Sequence, residues 1–355
     1  MITTNIFDKE VILDLSSLAS RFAIITDDTI APLYGEKLNQ TLLSSGLESY
    51  LFSFPHGEKN KTREMKECIE NQLFEKGLGQ DTCIIALGGG VVTDLGGFIA
   101  ATYCRGIPLV MIPTTLLGMV DASIGGKTGV NVSYGKNMIG CIYQPKRTLI
   151  DPSFLKSLPK KELLNGIVET IKHGIVADSQ FFYYLEKHAN ELLNLDSKVV
   201  EKTIIESCRI KIEIVEQDKQ KPGKRNLLNF GHTVGHALEQ LTNYSISHGH
   251  AVAIGILVES YLSVEIGKLS KDSFDRIENI LHQYSIPLEL SEKFPVKALM
   301  DAMCLDKKSL KGVPRFVVID DIGSSATCNS NYCTDIPPPI LNKALHWMNH
   351  DLCCH

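Results

Sequence analysis

From Arg21 to Pro152 the chain repeats one pattern: a short apolar or β-branched run, a turn, then a segment of helical periodicity. RFAIITDD reads as a strand ending in Asp27, with a helical segment after Pro32, and SYLFSF is a second short strand. EKNKTREMKECIENQLFEKG has helical periodicity and closes at a glycine. DTCIIALGGG reads as a buried strand, VVTDLGGFIAATY as a covered helix, and IPLVMIPTT and RTLIDP as further strands. Each strand is followed by enough chain for a crossover, so the alternation predicts an α/β fold: a largely parallel sheet with helices on both faces.

Parallel sheets bind ligands at the carboxyl ends of their strands, and three features fall there. Gly88-Gly89-Gly90 lies between a strand and a helix, where a pyrophosphate can meet backbone N–H groups and the positive end of the helix dipole; a tight strand-to-helix turn is the plain alternative. Asp94, one turn into that helix, either bonds a cofactor hydroxyl or simply favours the positive end of the helix. Thr114 and Thr115 offer hydroxyls after the next strand.

After Pro159 no proline occurs until Pro222, and none again until Pro287. KKELLNGIVETIKHGIVAD, SQFFYYLEKHANELL and SKVVEKTIIESCRIKIEIVEQD all carry helical periodicity. We therefore expect a first domain over residues 1–158 and a mainly helical second domain over 159–355. One late β-like run, PRFVVIDDIG, interrupts the helices, and CNSNYCTDIPPPI has no clear period.

The densest chemistry lies in the second domain, in RNLLNFGHTVGHALEQLTNYSISHGH, which holds four of the eleven histidines. His232 and His236 are four apart in an apolar-periodic segment, so a helix projects them from one face. His248 follows a polar turn and opens a second apolar run. That layout suits metal ligation by imidazoles with a carboxylate, and a pair of surface or capping histidines is the plain alternative. Arg225 and Asn229 precede His232 by seven and three residues, roughly on its helical face.

Glu169, Lys172 and His173 fall at i, i+3 and i+4, so carboxylate and ammonium share a helix face, either as part of a site or as the exposed salt pair such spacing ordinarily gives. DASIGGKTGVNVSYGKNMIG reads as a long glycine-rich loop carrying Asp121, Lys127, Lys136 and Asn137. Lys127, Lys172, Lys211, Arg225 and one of Lys307 and Lys308 together would suit a doubly anionic substrate, since phosphate and carboxylate both call for convergent cationic donors.

Composition removes other classes. The net charge of -5 gives no support for a nucleic-acid or membrane partner, and no apolar run is long enough to span a bilayer. MITTNIFDKEV lacks the basic and apolar regions of a signal peptide, and ten irregularly spaced cysteines then suggest reduced thiols in a cytoplasm. The closing HDLCCH could bind metal but reads more simply as a frayed tail.

Five segments in order, ALGGGVVTDLGGFIAATYCRG, IPTTLLGMVDASIGGKTGVN, GIVETIKHGI, RNLLNFGHTVGHALE and HGHAV, resemble the 3-dehydroquinate synthase family, over roughly Asp27 to Gly323. The resemblance implies a Rossmann-like NAD domain, a helical second domain, one divalent metal per subunit (zinc, with cobalt as the other option), and a homodimer. It implies Glu169, His232 and His248 as metal ligands. Asp27, Glu58, Lys61, Gly89, Gly90, Val91, Asp94, Thr114, Thr115, Leu117, Lys127 and Lys136 would line the NAD site, with Phe154 and Ser157 nearby. Asp121, Lys127, Asn137, Lys172, Lys211, Arg225, Asn229, His236 and Lys307 or Lys308 would face the substrate, and Arg105 would reach the neighbouring subunit's phosphate site. Two positions depart from the family pattern: Lys221 stands where an acidic run usually has Glu, and His250 replaces Glu in HGEAV.

The implied reaction converts 3-deoxy-D-arabino-heptulosonate 7-phosphate to 3-dehydroquinate and phosphate, a step of aromatic biosynthesis, through transient oxidation by NAD, phosphate elimination, reduction and an aldol closure. Other sugar-phosphate cyclases and metal-dependent glycerol-type dehydrogenases are the neighbouring readings. The latter normally place Asp at the Glu169 position and lack Lys127, Arg225 and Asn229. A zinc protease is a poor fit, because His232-Thr-Val-Gly-His236 lacks the glutamate of H-E-x-x-H. A catalytically silent NAD-binding protein would not need the metal triad.

Overall fold

The computed structural model describes residues 2–3, 5–133, 135–305, 312–326 and 332–353. The chain divides into two compact units, Met1–Leu163 and Leu164–His355.

The first unit holds strands β1 (Arg21–Asp27), β2 (Glu48–Phe54), β3 (Thr82–Gly88), β4 (Leu109–Pro113), β5 (Lys127–Val132), β6 (Gly135–Ile142) and β7 (Arg147–Thr148). Five form one sheet in the order β2-β1-β3-β4-β7, and every neighbouring pair is parallel. The parallel sheet expected from the alternation is therefore present. All seven residues of β3 are buried, which explains why its sequence is continuously apolar instead of alternating. The helices are α1 (Lys9–Ser16), α2 (Glu36–Ser44, entered through a π-helical turn at Ala31–Gly35), α3 (Arg63–Glu75) and α4 (Gly90–Thr102). Thr62 starts α3 by accepting the Met65 N–H at 3.2 Å. Ile25, Ile84, Ala86, Leu95, Ile99 and Met111 share one buried cluster, each large side chain contributing about 1.5–3 kcal/mol.

The glycine-rich segment 121–140 is not a long loop. Most of it forms the antiparallel pair β5–β6, in which Gly129 faces Gly140. A Cβ on Gly140 would lie 1.9 Å from the Thr128 carbonyl oxygen, so the ribbon closes only because no side chain stands there.

The second unit holds most of α5 (Lys160–Ala177) and then α6 (Ser179–Lys187), α7 (Ala189–Leu193), α8 (Ser197–Asp218), α9 (His232–Leu241), α10 (His248–Glu265), α11 (Lys271–Gln283), α12 (Val296–Leu305) and α13 (Pro338–Asp351). Helix α10 is its axis, with every residue from Ala251 to Ser260 buried. The late β-like run shrinks to β8 (Ile319–Asp321) paired with β9 (Ser324–Ser325). The tail is packed, not frayed, as far as it is described: the Leu290 N–H donates to the Leu352 carbonyl at 2.7 Å, and Cys353 is buried. Among the described residues no helix is long and apolar enough to cross a membrane.

Candidate functional site

Three helices of the second unit converge, and glycines set the convergence. Helix α9 starts at His232 behind Gly231, whose φ is +77°. A Cβ on Gly231 would lie 2.8 Å from the Ile256 nitrogen and 2.9 Å from the Val252 carbonyl, so only glycine lets the start of α9 approach α10 this closely. Gly249, in the first turn of α10, donates its N–H to Asn165 Oδ1 at 3.1 Å, and a Cβ there would come within 2.6 Å of the Asn165 Cα. Asn165 is one helical turn before Glu169 on α5, on the same face. The first residues of α9 and α10 are thereby brought to Glu169. Glu169 Oε1 lies 3.6 Å from His232 Nε2 and 3.7 Å from His248 Nε2.

The second ring nitrogens are engaged as well. His232 Nδ1 lies 3.1 Å from the Phe230 carbonyl, which can only accept, so Nδ1 carries the proton and Nε2 presents its lone pair. His248 Nδ1 lies 3.4 Å from Glu239 Oε2. Burial disfavours the charged His248 ring, but the Glu169 and Glu239 carboxylates beside it outweigh that and push the pKa up to about 10. An imidazole held between two carboxylates marks a place that demands positive charge. Two imidazole nitrogens and one carboxylate oxygen, all within 4.8 Å of one another, are a fitting donor set for zinc or a similar ion.

Glu169, Lys172 and His173 are not an exposed salt pair. Their relative exposures are 0%, 1% and 0%. Lys172 Nζ pairs with Glu169 Oε2 and donates to the Leu228 carbonyl at 2.6 Å. His173 Nδ1 lies 2.6 Å from Ser207 Oγ. His236 sits one turn below His232, with ring centroids 5.3 Å apart. Arg225 and Asn229 do not share a helix with His232: they lie in the 3-10 segment Lys224–Asn229, and the left-handed Gly231 breaks the periodicity between them. The Arg225 backbone is held instead by Asp218 Oδ1, which accepts its N–H and that of Gly223, both at 2.9 Å. Lys211 is buried on α8. Lys307 and Lys308 lie outside the described residues.

In the first unit the other residues gather at the carboxyl ends of the strands. Asp27 ends β1 and accepts the N–H groups of Thr29 and Ile30 at 3.0 and 2.9 Å; its burial holds its carboxyl above the usual range. Gly89 precedes α4, Gly90 and Val91 open it, and a Cβ on Gly89 would lie 3.2 Å from Thr115 Cγ2. Thr114 and Thr115 follow β4, and Thr115 Oγ1 accepts the Gly118 N–H at 2.9 Å, just after Leu117. Lys61, 3% exposed, lies 3.0 Å from both Glu58 Oε1 and Asp94 Oδ2. Burial lowers the lysine pKa, but the two carboxylates outweigh it and raise it. Asp94 is nonetheless held above its ordinary value by burial, whereas Lys61 and Lys136 overcome burial to hold Glu58 below its own. Phe154 packs on Tyr34 with centroids 4.4 Å apart, and the Tyr34 hydroxyl meets Ser157 Oγ at 2.6 Å.

Asp121 lies in the π-helical turn Gly118–Ala122, and Lys127 is exposed at the start of β5. Asn137 takes φ +53° and donates its N–H to Asn131 Oδ1 at 2.9 Å. Cys104, Arg105 and Gly106 all have positive φ (49°, 68° and 110°), an uncommon backbone for the first two that leaves the Arg105 side chain exposed. Sequence reasoning missed Asn165, Asp218, Glu239 and Tyr34, and also Glu259, a fully buried residue of α10 whose Oε1 accepts the Thr233 N–H at 3.2 Å. Only Glu239 had a local signal, three residues after His236 on the same helix.

The fold and site define the class. A solved structure of 2-epi-5-epi-valiolone synthase from Streptomyces hygroscopicus subsp. jinggangensis, with NAD+ and Zn2+ bound, superposes with a TM-score of 0.89 at 28% identity, covering 98% of this chain and 95% of that one. A 2-deoxy-scyllo-inosose synthase complexed with carbaglucose-6-phosphate, NAD+ and Co2+ gives 0.86 at 21% identity over 96% and 94% of the two chains, and so shares the fold. The architecture is that of the sugar-phosphate cyclases. Family models for the N-terminal and C-terminal parts of 3-dehydroquinate synthase match residues 51–165 and 166–309. The 3-dehydroquinate synthase of Desulforamulus reducens is 41% identical over 91% of this chain and 90% of its own length, and that of Nitrosomonas europaea 44% over 91% and 86%. The chain belongs to the 3-dehydroquinate synthase family.

Proposed function

We propose that this chain carries out the reaction of its family, converting 3-deoxy-D-arabino-heptulosonate 7-phosphate to 3-dehydroquinate and phosphate. The observation that carries this reading is the Glu169–His232–His248 cluster, built on a fully buried carboxylate to which Lys172 is paired. A chain that had kept the fold without the chemistry would have no use for two imidazoles gathered at a buried carboxylate. NAD, seated against Gly89–Val91 at the start of α4, would supply reversible oxidation at C5, and a divalent ion, zinc or cobalt, held by Glu169, His232 and His248 would supply Lewis-acid polarisation there.

The other residues then have definite tasks. Lys61, fixed by Glu58 and Asp94, presents an oriented charge to the NAD site, lined also by Asp27, Thr114, Thr115, Leu117, Lys127, Lys136, Phe154 and Ser157. Lys172 stabilises negative charge developing on the substrate, and His236 moves protons. Asp121, Lys127, Asn137, Lys211, Arg225, Asn229 and Lys307 or Lys308 bind its phosphate, carboxylate and hydroxyls. The substrate's own phosphate takes the C6 proton, so no strong protein base is needed.

The reading includes a homodimer acting in the cytoplasm, with Arg105 offered to the partner's phosphate site; the exposed, conformationally constrained Arg105 supports it. Arg105→Ala and Lys172→Ala, each nearly inactive, should regain activity when mixed and allowed to exchange subunits. Verified heterodimers that stay at parental activity would remove the trans assignment. The function itself is tested by phosphate release from the heptulosonate phosphate. Release should require NAD, stop on chelation and return with zinc or cobalt; release indifferent to both would contradict the reading.

A further inference from the structure

His248 has a carboxylate at each end of its ring. Nε2 faces Glu169 Oε1 at 3.7 Å, and Nδ1 faces Glu239 Oε2 at 3.4 Å. On the Glu239 side a third donor is close. His236 and Glu239 are three residues apart on α9, hence on one face, and the His236 and His248 ring centroids are 6.3 Å apart. One donor atom each from His236, Glu239 and His248 lies within 4.8 Å of the others. The Glu239 carboxylate is almost wholly buried, its side chain 3% exposed, so it is held at this place.

We propose that the metal-loaded protein has a second divalent-cation site, formed by His236, Glu239 and Nδ1 of His248, and that zinc binding there inhibits. Two nitrogens and one carboxylate oxygen are again a zinc-type donor set, with the remaining position open to water. An ion there would be held by His236, Glu239 and Nδ1 of His248, and the Nδ1 proton would leave to solvent, with no redox chemistry. Displacing a proton and approaching a like charge make the second ion weaker-binding than the first. It inhibits because His236, the proton carrier, becomes a ligand. In the plainer arrangement Glu239 only orients His248 through its Nδ1–H, and then no second ion binds.

The proposal rests on the Glu169–His232–His248 assignment, which is tested separately by loss of the first equivalent of metal in His248→Ala. Protein holding NAD and one zinc per subunit is titrated with zinc in a metal-buffered assay, with bound zinc and phosphate release measured on the same samples. A second equivalent should bind, and activity should fall at least tenfold in step with it. Glu239→Gln, whose amide oxygen can still accept the Nδ1–H, should need at least tenfold more free zinc for the second equivalent. His236→Ala, judged by stoichiometry alone, should show the same weakening. Should Glu239→Gln fail to fold, or lose its first ion, wild-type and His236→Ala stoichiometries decide. Saturation at one equivalent, or a second equivalent equally tight in the variants, would overturn the proposal; the latter would be surface zinc.

Discussion

Two buried clusters, one in each unit, solve the same electrostatic problem in opposite ways. Around Lys61 two carboxylates are held by a cation the chain itself supplies, 3.0 Å from each. Around Glu169 the chain supplies Lys172 for one carboxylate oxygen, and His248 lies between Glu169 and Glu239, two carboxylates that favour a positive charge between them. In the absence of metal that demand is met by a proton, which is why His248 is pushed up to about 10. The first arrangement builds a rigid wall that can present an oriented charge. The second builds a socket. Buried ion pairs are weak grounds for stability in themselves, so the closed cluster matters chiefly for its geometry, and the open one for what it recruits.

The largest effect separating the two belongs to the socket. His248→Ala should lose stoichiometric metal and, with it, several kcal/mol of transition-state stabilisation, a fall of on the order of a thousandfold or more in kcat/KM. His236→Ala should keep the first metal and lose turnover; a metal-free His236→Ala protein would break the division of roles. Next comes the closed cluster. Lys61→Met leaves the half-buried Glu58 and Asp94 without their cation and should lower stability, read from denaturant midpoints. Adding Glu58→Gln and Asp94→Asn should return most of that stability while NAD affinity stays low. If the single variant is as stable as the parent, the cluster is not the closed, compensated wall described above. The smallest effect sharpens the socket's scaffold. Glu259→Gln weakens the acceptor at the start of α9 and should cost about 1–2 kcal/mol, with a parallel drop in metal affinity because His232 is the first residue of that helix.

What was legible in the sequence follows the range of the forces involved. The parallel sheet was readable because fully covered strands are continuously apolar, as β3 is. His232, His236 and His248 were readable because helix geometry and two turn sequences are local, and the starts of α9 and α10 fall at those residues. The glycine-rich ribbon was misread because the Gly129–Gly140 pair has no side chains to betray alternation. Arg225 and Asn229 were placed on the wrong face because nothing in the local pattern announces the positive φ of Gly231. The burial of Lys172 and His173 was missed because spacing on a helix does not say which face is covered. Glu259 and Asn165 act across helices distant in sequence, and no spacing rule points to such partners.

One measurement tests the central claim most directly, because a cyclase and a dehydrogenase would share the metal socket and the NAD wall but differ in where the hydride ends. With substrate deuterated at C5, the account predicts that the product keeps its label while reduced nicotinamide never exceeds the enzyme concentration. Reduced nicotinamide accumulating in proportion to product, with the label lost from the ring, would contradict it.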